Sequence, residues 1–192
     1  YGTSKALAEH LVVNANARTF AHGLRAGVVR YGNVLGSTGS VLRVWRHQAR
    51  LGEPLTISDR RMTRFWITLE QAVDLVLGAL ANLRGGEIVV PDLPAAGIWD
   101  LARAVAGAGD QELRFVEEGI RQGGEKLHEE LLSASEVLRT RQRNGVFVIA
   151  PYQHAEMWDA KAWLGEPVPA DLVYRSDVWP RRLGADGLAE LL

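Results

Sequence analysis

The sequence contains no cysteine. That excludes disulfides, thiolate metal sites and a cysteine nucleophile, and it agrees with a reducing compartment. Neither sign of charge is in excess: 22 Lys and Arg stand against 23 Asp and Glu, a formal net charge of −1. Such a balance gives no electrostatic reason to expect nucleic acid or an anionic membrane as partner. No apolar run approaches the roughly 18–20 residues that span a bilayer. The most apolar helical stretch, Ala72–Leu83, is interrupted by Asp74 and Asn82. Neither a signal peptide nor a polybasic anchor is visible. The expectation from these absences is a soluble, cytoplasmic protein.

What is present suffices for a core: 192 residues, 47% of them hydrophobic, fit one domain or one and a half. The chain opens at Tyr1 and passes directly into a helical pattern, so a fragment of a longer protein is expected. Leu7, Leu11, Val12 and Ala15 fall at helical spacing and predict an amphipathic helix over Thr3–Phe20, stopped by Gly23. Ala26–Tyr31 reads as a buried parallel strand. A loop of glycine and small residues, 32–40, follows at its carboxyl end, and Val41–Leu51 reads as a helix. Thr68-Leu69-Glu70-Gln71 has the form of a capping box opening a helix to Leu83. Further strands are predicted at Glu87–Pro91, Leu113–Glu117 and Val146–Ile149, with helices at Ile98–Ala108 and within Gly124–Ser133. The alternation indicates the α/β class.

Tyr1 and Lys5 stand one helical turn apart, with Cβ atoms about 5–6 Å from each other. A tyrosine acting as base at neutral pH must be acidified by about three pH units, or roughly 4 kcal/mol. A lysine cation about 6 Å away supplies roughly 2–3 kcal/mol at an effective dielectric near 20. The helix N-terminus adds about 0.3–1 kcal/mol, and an oxidised nicotinamide ring, itself a cation, would add the rest. An isolated Tyr-x-x-x-Lys reads more readily as a solvated helix face than as a catalytic pair. The Gly/Ser loop at the end of the following strand sharpens the choice, because open α/β sheets bind ligands there. In that loop Asn33 is one polar amide among small residues.

Five motifs occur in order: Tyr1-Gly2-Thr3-Ser4-Lys5, the Arg30–Ser40 loop, Met62–Thr68, Gly85–Pro91 and Gly124–Glu130. Together they resemble the extended short-chain dehydrogenase/reductases of polysaccharide biosynthesis, in particular the inverting UDP-N-acetylglucosamine 4,6-dehydratases. The resemblance implies the C-terminal part of a Rossmann-type α/β enzyme with its substrate-binding subdomain. Residues 1–50 would end the NAD(P)-binding domain, and 51–192 would form mainly the substrate-binding subdomain, with one strand returning to the sheet. It implies Tyr1 as catalytic base and Lys5 as its partner, both also holding the cofactor. That cofactor would be NADP, with NAD as the alternative. Val34, Leu35, Gly36, Ser37 and Thr38 would line its nicotinamide end. Asn33, Arg64, Arg121 and Glu125 would bind the UDP-sugar, Arg64 as a cation toward the diphosphate. A surface ion pair with Asp59 or Glu70 is the plainer reading of Arg64. Arg121 and Glu125 match an Arg-Pro-Gly-Glu-Lys pattern, but here the sequence is Arg-Gln-Gly-Gly-Glu-Lys, with an extra residue. His128 has no partner at zinc-ligand spacing, so a structural role is expected and no metal.

In that family the first half carries a glycine-rich pyrophosphate turn and an Asp-Lys acid/base pair. This sequence has neither, so the chain by itself is expected to be inactive, as part of a homo-oligomeric parent. The strand at Ala26–Tyr31 would then show an unpaired edge. Three other readings stay open: a UDP-sugar 4-epimerase, a retaining dehydratase of the same fold, and a non-catalytic remnant that binds nucleotide sugar.

Overall fold

A computed structural model describes residues 2–37, 39–107, 114–121, 123, 125–152 and 165–192. The first half of the chain forms α1 (Gly2–Thr19), β1 (Val28–Val29), β2 (Asn33–Val34), α2 (Val41–Leu51), β3 (Leu55–Ile57), β4 (Thr63–Ile67), α3 (Leu69–Ala81) and β5 (Ile88–Pro91). The second half adds β6 (Ala95–Gly97), α4 (Ile98–Ala106), β7 (Phe115–Glu117), α5 (Ala134–Val137), β8 (Thr140–Arg143), β9 (Val146–Ile149), β10 (Glu166–Pro167) and α6 (Ala185–Ala189). The chain divides into two units. One comprises Tyr1–Tyr31, Val73–Asp92 and Leu131–Tyr174, the other Gly32–Ala72, Leu93–Glu130 and Arg175–Leu192.

The first unit is built on a sheet of order β1-β5-β9-β8-β10. β1 runs parallel to β5, pairing Val28 with Ile88 and Val29 with Val89. The remaining pairs are antiparallel. β5 is an apolar run, Ile-Val-Val-Pro, and all four residues are buried. Its start is sharply set by Gly85 and Gly86, both at positive φ. A Cβ on Gly85 would lie 2.6 Å from Asn16 Oδ1, so only glycine fits there. The buried Glu87 carboxylate then accepts the N–H groups of Arg84 and Gly85 at 2.7 and 2.6 Å. β8 and β9 are joined by Asn144-Gly145, both at positive φ, which matches the twist of an antiparallel hairpin. Tyr174, fully buried against Phe147, donates its hydroxyl to the Pro91 carbonyl at 2.7 Å.

Within the same unit α1 ends at a short 3-10 turn, Phe20–His22, closed by left-handed Gly23. Leu7 and Leu11, expected on its buried face, are exposed, and Asn16 is buried instead. Glu9 and Asn16, two turns apart, both tie α1 to neighbouring chain. Asn16 Oδ1 accepts the Ala26 N–H at 2.8 Å. The strand expected over Ala26–Tyr31 is narrower as a ladder, although Val28 and Arg30 N–H groups both bond across to Glu87 and Val89 carbonyls. It stands at one end of the sheet order, as expected for an edge.

In the second unit β4 is central to a three-stranded sheet, parallel to β2 and antiparallel to β6, and β3 pairs in parallel with β7. The core gathers Leu35, Leu42, Trp45, Leu55, Ile57, Trp66, Leu101 and Leu188. α2 has the limits expected of it: Ser40 Oγ accepts the Leu42 N–H at its start, and left-handed Gly52 closes it. The capping box holds too, with Thr68 Oγ1 accepting from Gln71 N and Gln71 Oε1 from Thr68 N. α3 stops at Ala81 rather than Leu83, and α4 at Ala106 rather than Ala108. The helix expected within Gly124–Ser133 does not form among the described residues. Helix-forming composition is overridden there because the backbone is engaged elsewhere: Thr63 N–H bonds to Leu127 O, Ser176 N–H to Glu129 O, and Glu130 bridges Arg175.

Candidate functional site

Tyr1 and Thr38 lie outside the described residues. Lys5 sits in the first turns of α1, exposed, in the first unit. α1 is held by a charged group below that end. Arg30, which follows β1, donates through Nε to Glu9 Oε2 at 3.0 Å and through Nη2 to Glu136 Oε1 at 2.7 Å. Its Nη1 also reaches the Leu131 carbonyl at 2.7 Å. Burial disfavours the Arg30 charge, yet the bonds to Glu136 and Glu9 outweigh it and raise the guanidinium above its ordinary value. Burial likewise opposes ionisation of Glu136, but the bonds from Arg30 and Ser133 hold its carboxyl down at about 2. One guanidinium thus joins helix α1, strand β1 and the start of α5, where Ser133 and Glu136 form a reciprocal cap.

The other described candidates belong to the second unit. Asn33 and Val34 form β2, in register with Trp66 and Ile67 of β4. The approach of the two strands requires Gly32, where a Cβ would lie 2.4 Å from the Phe65 carbonyl oxygen. Leu35 bonds through its N–H to Ile67 O and turns its side chain into the core, so its backbone alone is available to a ligand. Gly36 follows at φ 73° with open space where a Cβ would stand, and Ser37 is exposed. A loop of this shape, small and open beyond a strand's carboxyl end, suits close approach of a flat ring.

Arg64 meets neither expectation in simple form. It is buried, and Asp59 pairs with Arg61 instead, at 2.7 Å. The Arg64 guanidinium donates to the carbonyls of Lys126 at 2.8 Å, Leu127 at 3.1 Å and Thr63 at 2.8 Å, and its Nε stands 3.5 Å from Glu129 Oε1. Its fork therefore shapes the 126–129 segment. Arg121 and Glu125 are brought together despite the extra residue: Arg121 N–H donates to Glu125 Oε2 at 2.8 Å, and Ser58 Oγ to Oε1 at 3.1 Å.

Glu129 is the residue that sequence reasoning passed over, although it lies inside a motif already singled out. Its carboxylate faces the Asn33 amide, whose nitrogen, assigned by the acceptors it meets, donates to Oε1 and Oε2 at 3.1 and 3.2 Å. Burial pushes the Glu129 carboxyl up, against the pull of the Arg64 charge and a bond from the Phe65 N–H. Behind it, Ser176 Oγ accepts the Glu129 N–H at 2.9 Å and meets Thr63 Oγ1 at 2.6 Å. Thr63 Oγ1 also meets His128 Nδ1 at 2.9 Å, which gives His128 a packing role. Among the described residues no group of three or more His, Asp or Glu side chains is placed to hold a metal ion.

The profile of the polysaccharide biosynthesis protein family matches residues 1–151. The chain belongs to that family. It is an α/β chain of the Rossmann-type short-chain dehydrogenase/reductase class. Among its relatives, the inverting UDP-N-acetylglucosamine 4,6-dehydratase of Campylobacter jejuni is 41% identical over 152 residues, covering 79% of this chain and 44% of the relative. The UDP-glucose 4-epimerase of Rickettsia felis is 38% identical over 195 residues, covering 100% of this chain and 56% of the relative. The crystal structure of Pen from Bacillus thuringiensis superposes with a TM-score of 0.82 at 28% identity, covering all of this chain and 56% of that one. The chain spans about half the length of the curated relatives it matches. No helix among the described residues is long and apolar enough to cross a membrane.

Proposed function

We propose that this polysaccharide biosynthesis family chain serves an NADP-dependent, C5-inverting UDP-N-acetylglucosamine 4,6-dehydratase, as part of a cytoplasmic homo-oligomer. The observation that carries the reading is the 41% identity to an inverting dehydratase over 152 residues, beside the Tyr1–Lys5 spacing in the sequence. Tyr1 takes the proton of the sugar 4-hydroxyl, and the Lys5 ammonium one turn along stabilises the phenolate that does so. The chemistry a bound nicotinamide cofactor would supply is reversible hydride acceptance at the sugar carbons. Gly36 and Ser37 leave an open loop that would admit its nicotinamide end. Arg121 and Glu125 would meet the nucleotide, a reading supported by the bond from the Arg121 backbone N–H to the Glu125 carboxylate, and Arg64 shapes the 126–129 segment.

An assay of UDP-N-acetylglucosamine with NADP, read by the appearance of a 4-keto-6-deoxy sugar, tests the proposal. In the longer protein, Tyr1→Phe is expected to lower kcat at least about 100-fold, in the range of a lost general base, with UDP affinity kept. Turnover of Tyr1→Phe at the unsubstituted rate would refute the assignment. The 192-residue chain by itself is expected to give no product, since it holds neither a glycine-rich pyrophosphate turn nor an Asp-Lys pair.

A second reading, 4-epimerisation, is favoured by the match to the Rickettsia felis epimerase, which extends over the whole of this chain. Recovery of a 4-epimer with its 6-hydroxyl intact would select it. Calorimetric binding of UDP without NADP, and no turnover in the longer protein, would select a remnant that binds nucleotide sugar only.

A further inference from the structure

Asn33 lies at the mouth of the open loop, exposed, and its amide has two chemically different ends. Glu129 is paired with the Arg64 guanidinium, 3.5 Å from its Oε1, and as a carboxylate in that pair it accepts hydrogen bonds and cannot donate them. With Glu129 Oε1 and Oε2 both within 3.2 Å of one end of the Asn33 amide, that end must be the nitrogen. The oxygen is therefore directed away from Glu129. Glu129 is itself held from three sides. The Arg64 Nε stands 3.5 Å from its Oε1, and the Arg64 fork grips the carbonyls of Lys126 and Leu127 just before it. Ser176 fixes its backbone on both sides, accepting its N–H at 2.9 Å and donating a backbone N–H to its carbonyl at 2.8 Å.

We infer that Asn33 engages its ligand as a hydrogen-bond acceptor, through Oδ1, and that Glu129 and Arg64 are the positioning residues that enforce this orientation. The inference rests on the nucleotide-sugar reading above and deepens it. The group recognised is a donor on the sugar, either a hydroxyl or an acetamido N–H. A phosphate oxygen, which only accepts, is not what Asn33 reads. Arg64 then acts two steps from the ligand, as the cation that keeps Glu129 in place.

Calorimetry with UDP-N-acetylglucosamine, UDP-glucose and UDP tests this in the unsubstituted protein, in Glu129→Gln and in the double variant Asn33→Asp with Glu129→Gln. In Glu129→Gln the neighbouring side chain can donate as well as accept, so the Asn33 amide is released to turn over. The affinity for nucleotide sugar relative to UDP should fall about 3–10-fold, the worth of one neutral hydrogen bond. The double variant should restore it to within about twofold. In it the new amide at position 129 donates to one oxygen of the new carboxylate at position 33, and the other oxygen faces outward as an acceptor. UDP affinity serves as the control for folding. A loss confined to UDP-N-acetylglucosamine identifies the acetamido N–H as the donor, and an equal loss for both sugars identifies a hydroxyl. The side-chain amide resonance of Asn33 in a nitrogen–proton correlation spectrum should shift in Glu129→Gln without any ligand. An unchanged or raised preference for sugar over UDP in Glu129→Gln, or a double variant no better than the single, overturns the inference alone. Absence of UDP and UDP-sugar binding by the unsubstituted protein overturns the functional reading together with it.

Discussion

Replacing Arg30 by methionine keeps most of the side chain's volume and removes its charge. Two carboxylates, Glu9 and Glu136, then face an apolar group, and the Leu131 carbonyl loses a donor. The side chains of this triad are only 15–22% exposed, so solvent screens them incompletely. The fall of the Glu136 carboxyl from its ordinary 4.5 to about 2 sets a ceiling of about 3 kcal/mol for its part, at 1.36 kcal/mol per pH unit. Partial exposure reduces that to about 2 kcal/mol. With the second carboxylate and the lost carbonyl bond, Arg30→Met should destabilise the protein by about 2–4 kcal/mol near pH 7. The sign with pH follows from the direction of the Glu136 displacement. A depressed carboxyl stabilises the fold above its unfolded pKa, and the contribution is lost as pH falls through about 2. The gap between the unsubstituted protein and Arg30→Met should therefore narrow between about pH 5 and about pH 2. Urea unfolding of both proteins near pH 7, 5 and 3 measures it. Equal gaps at the highest and lowest of these, or a loss under about 0.5 kcal/mol near neutrality, would refute the account of Arg30 as a buried clamp.

Gly32→Ala would place a methyl 2.4 Å from the Phe65 carbonyl oxygen, forcing β2 off β4. A loss of about 2–4 kcal/mol and weakened UDP-sugar binding are expected, by unfolding and calorimetry. Asn16→Ala leaves the Ala26 N–H without its buried acceptor and should cost about 1–3 kcal/mol; faster hydrogen exchange at the Ala26 amide would report it. Tyr174→Phe removes a hydroxyl that donates to Pro91 O at full burial. About 1–2 kcal/mol of stability should go, with UDP affinity unchanged.

Features written in adjacent residues were legible before any coordinates. Ser40 and Gly52 frame α2, and Thr68 with Gln71 opens α3, because capping is settled within four residues. The apolar β5 and β9 were equally plain. Asn144-Gly145 was a hairpin signal left unread, and with it β8, whose Thr-Arg-Gln-Arg looks polar because its last two residues are exposed. β4 was recognised as a motif and not as a strand, although Phe-Trp-Ile is rich in strand formers and every residue is buried. The misreading of 124–133 has a different origin. Glu, Lys and Leu favour helix locally, and only distant partners, Arg64 and Ser176, divert that backbone. The same distance hid the function of Glu129. Nothing in its own neighbourhood announces that it faces Asn33, 96 positions earlier in the numbering. The face of α1 was misassigned because leucines suggested burial, whereas a charged pair and an amide hold the helix.

Each unit is stitched from three separated stretches, and the last stretch of the second, Arg175–Leu192, delivers Leu188 to its core. During synthesis neither unit is complete before its last stretch is made: one awaits Tyr174, the other the eighteen positions 175–192 that follow it. A nascent chain of this kind carries unfinished apolar surface until those codons are read, and a stop codon early among them would spoil a core whose other buried members are already made.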